Sequence, residues 1–220
     1  MIASQLISHS VPPLKTSDTG QKAMHFMNVL HVRHLPIVNN EQFLGLLSEE
    51  DVLNFNSPEE PIGGHSLSLL RPFVHEDEHL YEVIKMAVTK QLTVVPVVDA
   101  DDDYLGVITL EDLLKYFAQT GSLVDPGTIL VLEMQKRDYS LAEIARIVES
   151  ESASVLSTYV TSLPESSLME VTLKLNSQAI KHIVATFERF GYKIKASFQE
   201  SDYMDSLKER YDALMNYLNV

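Results

Sequence analysis

Gly45-Leu46-Leu47-Ser48-Glu49-Glu50-Asp51-Val52-Leu53 returns further along the chain as Gly106-Val107-Ile108-Thr109-Leu110-Glu111-Asp112-Leu113-Leu114. Both copies read glycine, two aliphatics, a hydroxyl residue, two variable positions, an aspartate and two more aliphatics. Upstream, His34-Leu35-Pro36-Ile37-Val38 pairs with Val94-Val95-Pro96-Val97-Val98. The prolines stand 60 residues apart and the aspartates 61, so the second copy has gained one residue in the intervening turn. A unit of this length cannot cover its own apolar face and needs its copy to do so. The doubling also sets a hydroxyl and a carboxylate at one structural point twice, which predicts two equivalent binding positions.

The pattern within each copy predicts helix, strand, strand, helix. In the first, Lys15-Thr16-Ser17-Asp18 opens a helix that Thr16 or Ser17 caps, and Ala23, Met24, Met27 and Leu30 follow at helical spacing. Residues 35–38 and 43–47 read as strands around the polar turn Asn39-Asn40-Glu41, and Ser48 caps a helix over about 49–55. The second copy gives a helix over 80–88, strands over 93–98 and 104–108 around the acidic turn 99–103, and a helix over 111–117 capped by Thr109. Residues 54–66, with Pro58, Pro61, Gly63 and Gly64, read as the linker.

Residues 121–127, with Gly121, Pro126 and Gly127, mark a boundary beyond which the pattern changes. Strands are predicted over 128–134, 155–161, 168–175 and 192–198, and helices over 141–148 and 180–190, the last ended by Gly191. That order, βαββαβ, is the ferredoxin-like arrangement. Residues 202–218 predict a terminal amphipathic helix (201–220 as a segment), with Met204, Leu207, Tyr211, Leu214 and Leu218 at heptad spacing. This seam serves equally a second copy or its own domain.

The formal charge of −14 argues against nucleic acid and anionic membranes as partners, since both need a basic face. No apolar run reaches the roughly 18 residues needed to span a bilayer, and Met1 to Ile7 lack the basic start and long apolar stretch of a signal peptide. The absence of cysteine removes disulfides and thiolate chemistry. A soluble cytoplasmic protein is expected.

The doubled Gly-x-x-Ser/Thr-x-x-Asp, each copy preceded by a strand carrying Pro36 or Pro96, resembles a tandem pair of CBS domains over residues 1–120, with units at about 1–57 and 67–120. Residues 127–200 resemble an ACT domain, through strand order and the run Arg137-Asp138-Tyr139-Ser140-Leu141-Ala142-Glu143-Ile144 at the first strand-to-helix turn. The whole architecture is similar to the acetoin-utilisation regulatory proteins. The fold implied is α/β: a CBS pair of repeated α-β-β-α units, then a ferredoxin-like βαββαβ (ACT-like) domain and a terminal helix.

The resemblance implies two sheets packed around a pseudo-twofold axis, with two clefts that bind adenine nucleotides or nucleosides. It places Asp51 and Asp112 on the ribose hydroxyls, and Ser48 and Thr109 beside the phosphate. Those roles are physically sensible, because a helix start favours phosphate and a carboxylate one turn on shares its face. A Ser or Thr followed three residues later by an acid is also a capping box that needs no ligand. Of the two clefts, the first is better suited to phosphate, with His31, Arg33 and His34 beside Pro36. The second offers Thr93 and Val94 beside Pro96, and Glu76, Asp77 and Glu78 make it more acidic. The preferred occupied site is Thr16, Arg33, His34, Ser48 and Asp51, with Pro36, Thr93, Pro96, Thr109 and Asp112 completing the candidate ligand residues.

ACT domains often take an amino acid through a glycine-bearing turn after the first strand, and Lys136-Arg137-Asp138-Tyr139-Ser140 has no glycine. A dimerisation or docking role is the favoured expectation for that part. No nucleophile elbow, P-loop or dinucleotide fingerprint occurs, and the histidines lack the spacing of a zinc site. No enzyme, catalytic residue, resident cofactor or metal site is expected, although Mg²⁺ accompanying a nucleotide has the acidic turn 99–103 available. The expected function is a regulator that senses an AMP- or ATP-type adenine nucleotide, acts as a homodimer and relays the signal to an unidentified protein target. The alternatives are an interaction protein with empty clefts, and an amino-acid sensor acting through the ACT-like part.

Overall fold

The computed structural model describes residues 1–65, 67, 70–119, 121–177 and 180–199, together with Tyr211, Leu214, Met215, Tyr217 and Leu218. The chain divides into two compact units, Met1–Phe117 and Ala118–Val220.

In the first unit, α1 (Gly20–Leu30), β1 (His34–Asn39), β2 (Gln42–Ser48) and α2 (Glu49–Leu53) form one repeat. The short strand β3 (Val74–His75), then α3 (Leu80–Lys90), β4 (Val94–Val98), β5 (Tyr104–Thr109) and α4 (Leu110–Ala118) form the other. The likeness of the repeats extends to backbone detail. β1–β2 and β4–β5 are antiparallel hairpins, each with a register shift just after the proline-bearing segment, at Ile37/Val38 and Val97/Val98. Both first helices end in a left-handed residue, His31 and Gln91, at the same φ of 54°. The parallel pairing of Val74 with Val97 has its counterpart in a bridge between Leu14 and Ile37.

Hydrogen bonds across the repeats involve segments that sequence periodicity does not mark. The end of the predicted linker is tied to the first repeat: Ile62 N and Gly63 N donate to Asp18 O and Thr16 O at 2.7 and 2.9 Å. At the N-terminus, Ala3 N and Ser4 N donate to Glu78 O and Glu76 O at 2.8 and 2.9 Å. Each repeat therefore opens with a strap lying across the other: residues 1–11 cross the second, and residues 61–65 and 70–73 lie against the first. The caps differ too. Helix α1 starts later than expected, capped by Thr19, whose hydroxyl accepts from Lys22 N at 3.2 Å.

The repeats meet residue against equivalent residue. Gln42 and Asp103 form a bridge, and the Phe43 and Tyr104 rings stack with centroids 6.4 Å apart and 24° between planes. Phe43 is fully buried, and burial pushes the Tyr104 hydroxyl pKa well above its usual value. Leu35, Ile37, Leu47, Val94, Val97 and Ile108 pack around this pair in one apolar core shared by both repeats.

The second unit contains α5 (Gly121–Val124), β6 (Thr128–Gln135), α6 (Leu141–Ser150), β7 (Val155–Ser162), β8 (Leu168–Leu175), α7 (Ile180–Arg189) and β9 (Lys193–Gln199). Its sheet is antiparallel in the order β7-β8-β6-β9, the ferredoxin-like topology. The alternation of Met169, Val171, Leu173 and Leu175 puts those side chains on the buried face, against Ile144, Ile147, Ile183 and Phe187 of the helices. Gly191, at φ 82°, ends α7 as expected: Gly191 N donates to Glu188 O and Tyr192 N to Phe187 O. Of the predicted heptad, Tyr211, Leu214 and Leu218 are helical and exposed. Met204 and Leu207 lie outside the described residues.

Candidate functional site

Ser48 ends β2 and caps α2. Its hydroxyl donates to Asp51 Oδ2 at 2.7 Å, its N–H donates to the same oxygen at 3.0 Å, and Asp51 N–H returns a bond to Ser48 Oγ at 3.0 Å. Thr109 and Asp112 repeat the arrangement at 2.6, 3.1 and 3.0 Å. The capping reading of the doubled motif is therefore satisfied in both copies. A ligand role must rest on what surrounds each motif.

Around Ser48 and Asp51 there is a cavity of about 460 Å³, inside the range of roughly 300–1,000 Å³ typical of small-molecule sites. Leu46, Leu70, Pro72, Phe73, Met86 and Leu92 form its apolar part, and His34, Ser48, Asp51, Arg71 and Lys90 its polar part. The strap supplies four of these residues because Leu46 N donates to Leu70 O at 3.0 Å, pinning residues 70–73 along β2. Helix α3 supplies Met86 and Lys90, so both repeats build the cavity. A second recess of about 230 Å³ shares His34, Ser48 and Lys90 and adds Arg33, Glu49, Glu50 and Gln91. Arg71 and Lys90 thus line the larger cavity and Arg33 and Lys90 the smaller recess, alongside Asp51 in the one and Glu49 and Glu50 in the other.

His34 is held by the other repeat. Its Nδ1 lies 3.1 Å from Thr93 Oγ1 and accepts from Thr93 N–H at 3.3 Å, while Arg33 N–H donates to Thr93 Oγ1 at 2.9 Å. Burial first, then the Arg33 charge, pull the His34 pKa below its ordinary value, against a smaller opposite pull from Asp51 and Glu49.

Of the residues picked from the sequence, Arg33, His34, Ser48 and Asp51 converge on these two recesses. Thr16 is placed elsewhere. It sits near the far end of β1, where Asn39 Nδ2 donates to its hydroxyl at 2.9 Å and Asn39 Oδ1 accepts from its N–H at 3.4 Å. Pro36 and Pro96 are buried within β1 and β4. Thr93 touches His34 and is not among the residues lining either recess.

The second repeat's motif has different surroundings. Val94, at the position of His34, is fully buried, and Thr109 is 8% exposed. The N-terminal strap lies over it: Val107 N donates to Ser8 O at 3.4 Å as the counterpart of the Leu46–Leu70 bond, and Ser8 N donates back to Val107 O at 2.8 Å. Leu30 stands at the place of Lys90, so one cation of the first cleft has no equivalent in the second.

Sequence reasoning missed Leu70, Arg71, Phe73 and Met86. The predicted linker ends at residue 66, so Leu70, Arg71 and Phe73 fall between it and the second unit's first helix, a stretch with no helical or strand period to mark a site. Among the described residues there is no cluster of three or more His, Cys, Asp or Glu side chains arranged to hold a metal, the acidic turn 99–103 included. In that turn Asp99 Oδ1 accepts from Asp101 N and Asp103 N, both at 2.9 Å.

Comparison with known proteins bears on the first unit. The family model for the CBS domain matches residues 3–57 and 71–119. An uncharacterized protein of Methanopyrus kandleri is 23% identical over 129 residues, 56% of this chain. The match spans 62% of that relative, less than two thirds of its length. Among solved structures, a CBS domain pair/ACT domain protein of Thermotoga maritima is similar over 54% of this chain and 98% of its own, at 22% identity and a TM-score of 0.48. A Vibrio cholerae protein given the name acetoin utilization protein (AcuB) is similar over 53% of this chain and 90% of its own, at 26% identity and a TM-score of 0.47.

Proposed function

The chain carries a tandem pair of CBS domains, and on that premise we propose that it is a non-enzymatic regulatory protein whose first cleft binds an adenine nucleotide. CBS pairs are in general regulatory and bind such nucleotides. The observation that carries the reading for this chain is the lining of its 460 Å³ cavity, where Leu46, Leu70, Phe73, Met86 and Leu92 form an apolar wall beside Arg71 and Lys90, and the adjoining recess adds Arg33. The base packs among Leu46, Leu70, Phe73, Met86 and Leu92. The ribose diol bonds the Asp51 carboxylate, whose four or so lone-pair sites accommodate a cap and a diol together. The phosphate reaches Ser48, Arg33 and Lys90, where guanidinium and ammonium groups complement it. Mg²⁺ has a place in this reading only as the nucleotide's counter-ion.

The cavity walls come from both repeats, so a bound nucleotide favours one setting of the strap and α3 over another. That preference is the whole of the signal, because a ligand with equal affinity for both settings shifts nothing. We place the protein target and the homodimer in the same reading. Leu53 on α2 and Leu114 on α4, equivalent positions, are each 70% exposed and offer apolar helix faces to a second copy. Titration of the purified protein with AMP, ADP, ATP and S-adenosylmethionine tests the proposal, and silence from a well-folded sample with all four refutes it.

A second reading has its own observation. In the C-terminal unit a cavity of about 470 Å³ lies at the β6–α6 turn, lined by Glu133, Asp138, Glu143, Tyr192 and Lys193 among others. Burial and the neighbouring Glu143 carboxylate raise the Tyr192 pKa. The resemblance of this unit to ACT domains makes a small amino acid the ligand to try, and titration with the twenty amino acids decides it.

A further inference from the structure

Thr93 belongs to the second repeat, lines neither recess, and yet makes every described hydrogen bond of the His34 ring. We propose that Thr93 is a positioning residue for the first cleft: it fixes the His34 imidazole as the neutral Nε2–H tautomer, so that the cavity is presented with a hydrogen-bond donor that recognises an acceptor atom of the ligand. This rests on the nucleotide reading for the identity of that ligand, but not for the state of the ring.

The argument is one of proton accounting. A ring nitrogen that accepts from a backbone N–H carries no proton of its own, and Thr93 N–H donates to Nδ1. The Thr93 hydroxyl, which accepts from Arg33 N–H at 2.9 Å, lies 3.1 Å from Nδ1 with its own proton available to donate to a ring nitrogen already unprotonated. With both donors converging on Nδ1, the single proton of the neutral ring sits on Nε2, because the partner of one imidazole nitrogen decides the state of the other. An imidazolium would set its Nδ1–H against these donors. Burial and the Arg33 charge act in the same direction, and the opposing pull of Asp51 and Glu49 is the smaller. His34 lines both recesses, so with Nδ1 engaged, the edge bearing Nε2 is what the ring has left to offer them.

The consequence concerns specificity. Arg33, Arg71 and Lys90 supply charged donors to the cleft, and His34 adds a neutral one at the junction of its apolar and cationic parts. A purine ring nitrogen or a phosphate oxygen fits that donor, whereas a ligand presenting an N–H or O–H there does not. The second cleft has Val94 in this place and makes no such discrimination.

The test uses the full chain labelled with ¹⁵N, with the His34 ring assigned by comparison with His34→Gln. Two-bond ¹H–¹⁵N spectra at pH 7.5 are expected to show a single Nε2–H tautomer in the ligand-free protein. Thr93→Val, which keeps shape and the backbone N–H but removes the hydroxyl, is expected to keep Nε2–H as the major tautomer, to shift the Nδ1 resonance as it loses its second donor, and to weaken AMP binding about fivefold, the factor carried by one hydrogen bond of ordinary net strength. Thr93→Ser is expected to restore both. An Nδ1–H tautomer in the wild type overturns the proposal, as does a ring unchanged in Thr93→Val. A Thr93→Val protein with an altered ring and undiminished AMP affinity overturns the recognition role. If the wild type binds no AMP, the nucleotide reading falls while the ligand-free spectra still decide what Thr93 does to His34.

Discussion

Arg33 N–H donates to Thr93 Oγ1 at 2.9 Å, although the two residues are 60 apart and occupy the same position in their respective repeats. Gln42 with Asp103 and Phe43 with Tyr104 meet in the same way, like position on like position. A pseudo-twofold contact of this kind is where two copies of one motif are least able to remain identical, because each must complement the other. Here arginine and histidine stand on one side, threonine and valine on the other. The cleft with the cations and the histidine is consequently the one proposed to bind.

The His34 environment predicts a dependence of stability on pH. Its pKa in the folded protein lies below the ordinary 6.5, so below that pH the unfolded chain takes up a proton that the folded chain resists. Stability is therefore full above about pH 6.5 and falls as pH drops toward the folded value. Thermal melts of wild type and His34→Gln between pH 7.5 and 5.5 should show the steeper loss in the wild type. Parallel curves would contradict the assignment.

Gly106 predicts a packing effect. A methyl group added there would stand 2.5 Å from Ile7 Cγ2 and 3.4 Å from Ser8 O, so the N-terminal strap would have to shift. Gly106→Ala should cost about 1–3 kcal/mol in chemical denaturation. Gly64→Ala, with nothing within 4 Å of the new methyl, should change stability little. Equal effects of the two would argue that the strap is loosely held.

Leu53 and Leu114 predict the quaternary consequence. Replacing both with glutamate puts charge on helix faces that are 70% exposed within one chain, so the fold should persist while a dimer dissociates. Light scattering and circular dichroism together check this. A dimer undiminished in the double variant would move the interface elsewhere.

Much of this architecture was legible because it is written in short-range patterns. The doubled motif located both hairpins, both capping boxes and the two helices that follow them. Clean alternation in Leu168–Leu175 marked the buried face of the second unit's sheet. The parts that escaped depend on long-range contacts. Residues 61–65, inside the stretch read as a linker, and residues 70–73 beyond it are held by hydrogen bonds to a repeat that lies elsewhere in sequence. Arg71 and Phe73 reach the cleft on that strap, and Met86 and Lys90 reach it from the opposite repeat, so no local spacing signals them. Thr16 shows the converse: a hydroxyl in a motif-like setting that bonds Asn39 at the far end of β1, away from the cleft. The paired caps at Ser48 and Thr109 are indistinguishable in sequence pattern and nearly so in geometry, and only their neighbours separate them.

That separation is what the most direct experiment examines. Asp51→Ala and Asp112→Ala remove the same cap from equivalent helices and should each lower stability by about 1 kcal/mol. Calorimetric titration of both variants and the wild type with AMP should then divide them. The account predicts one site per chain, retained in Asp112→Ala and lost in Asp51→Ala. Binding that survives Asp51→Ala, or that disappears equally in the two variants, would contradict it.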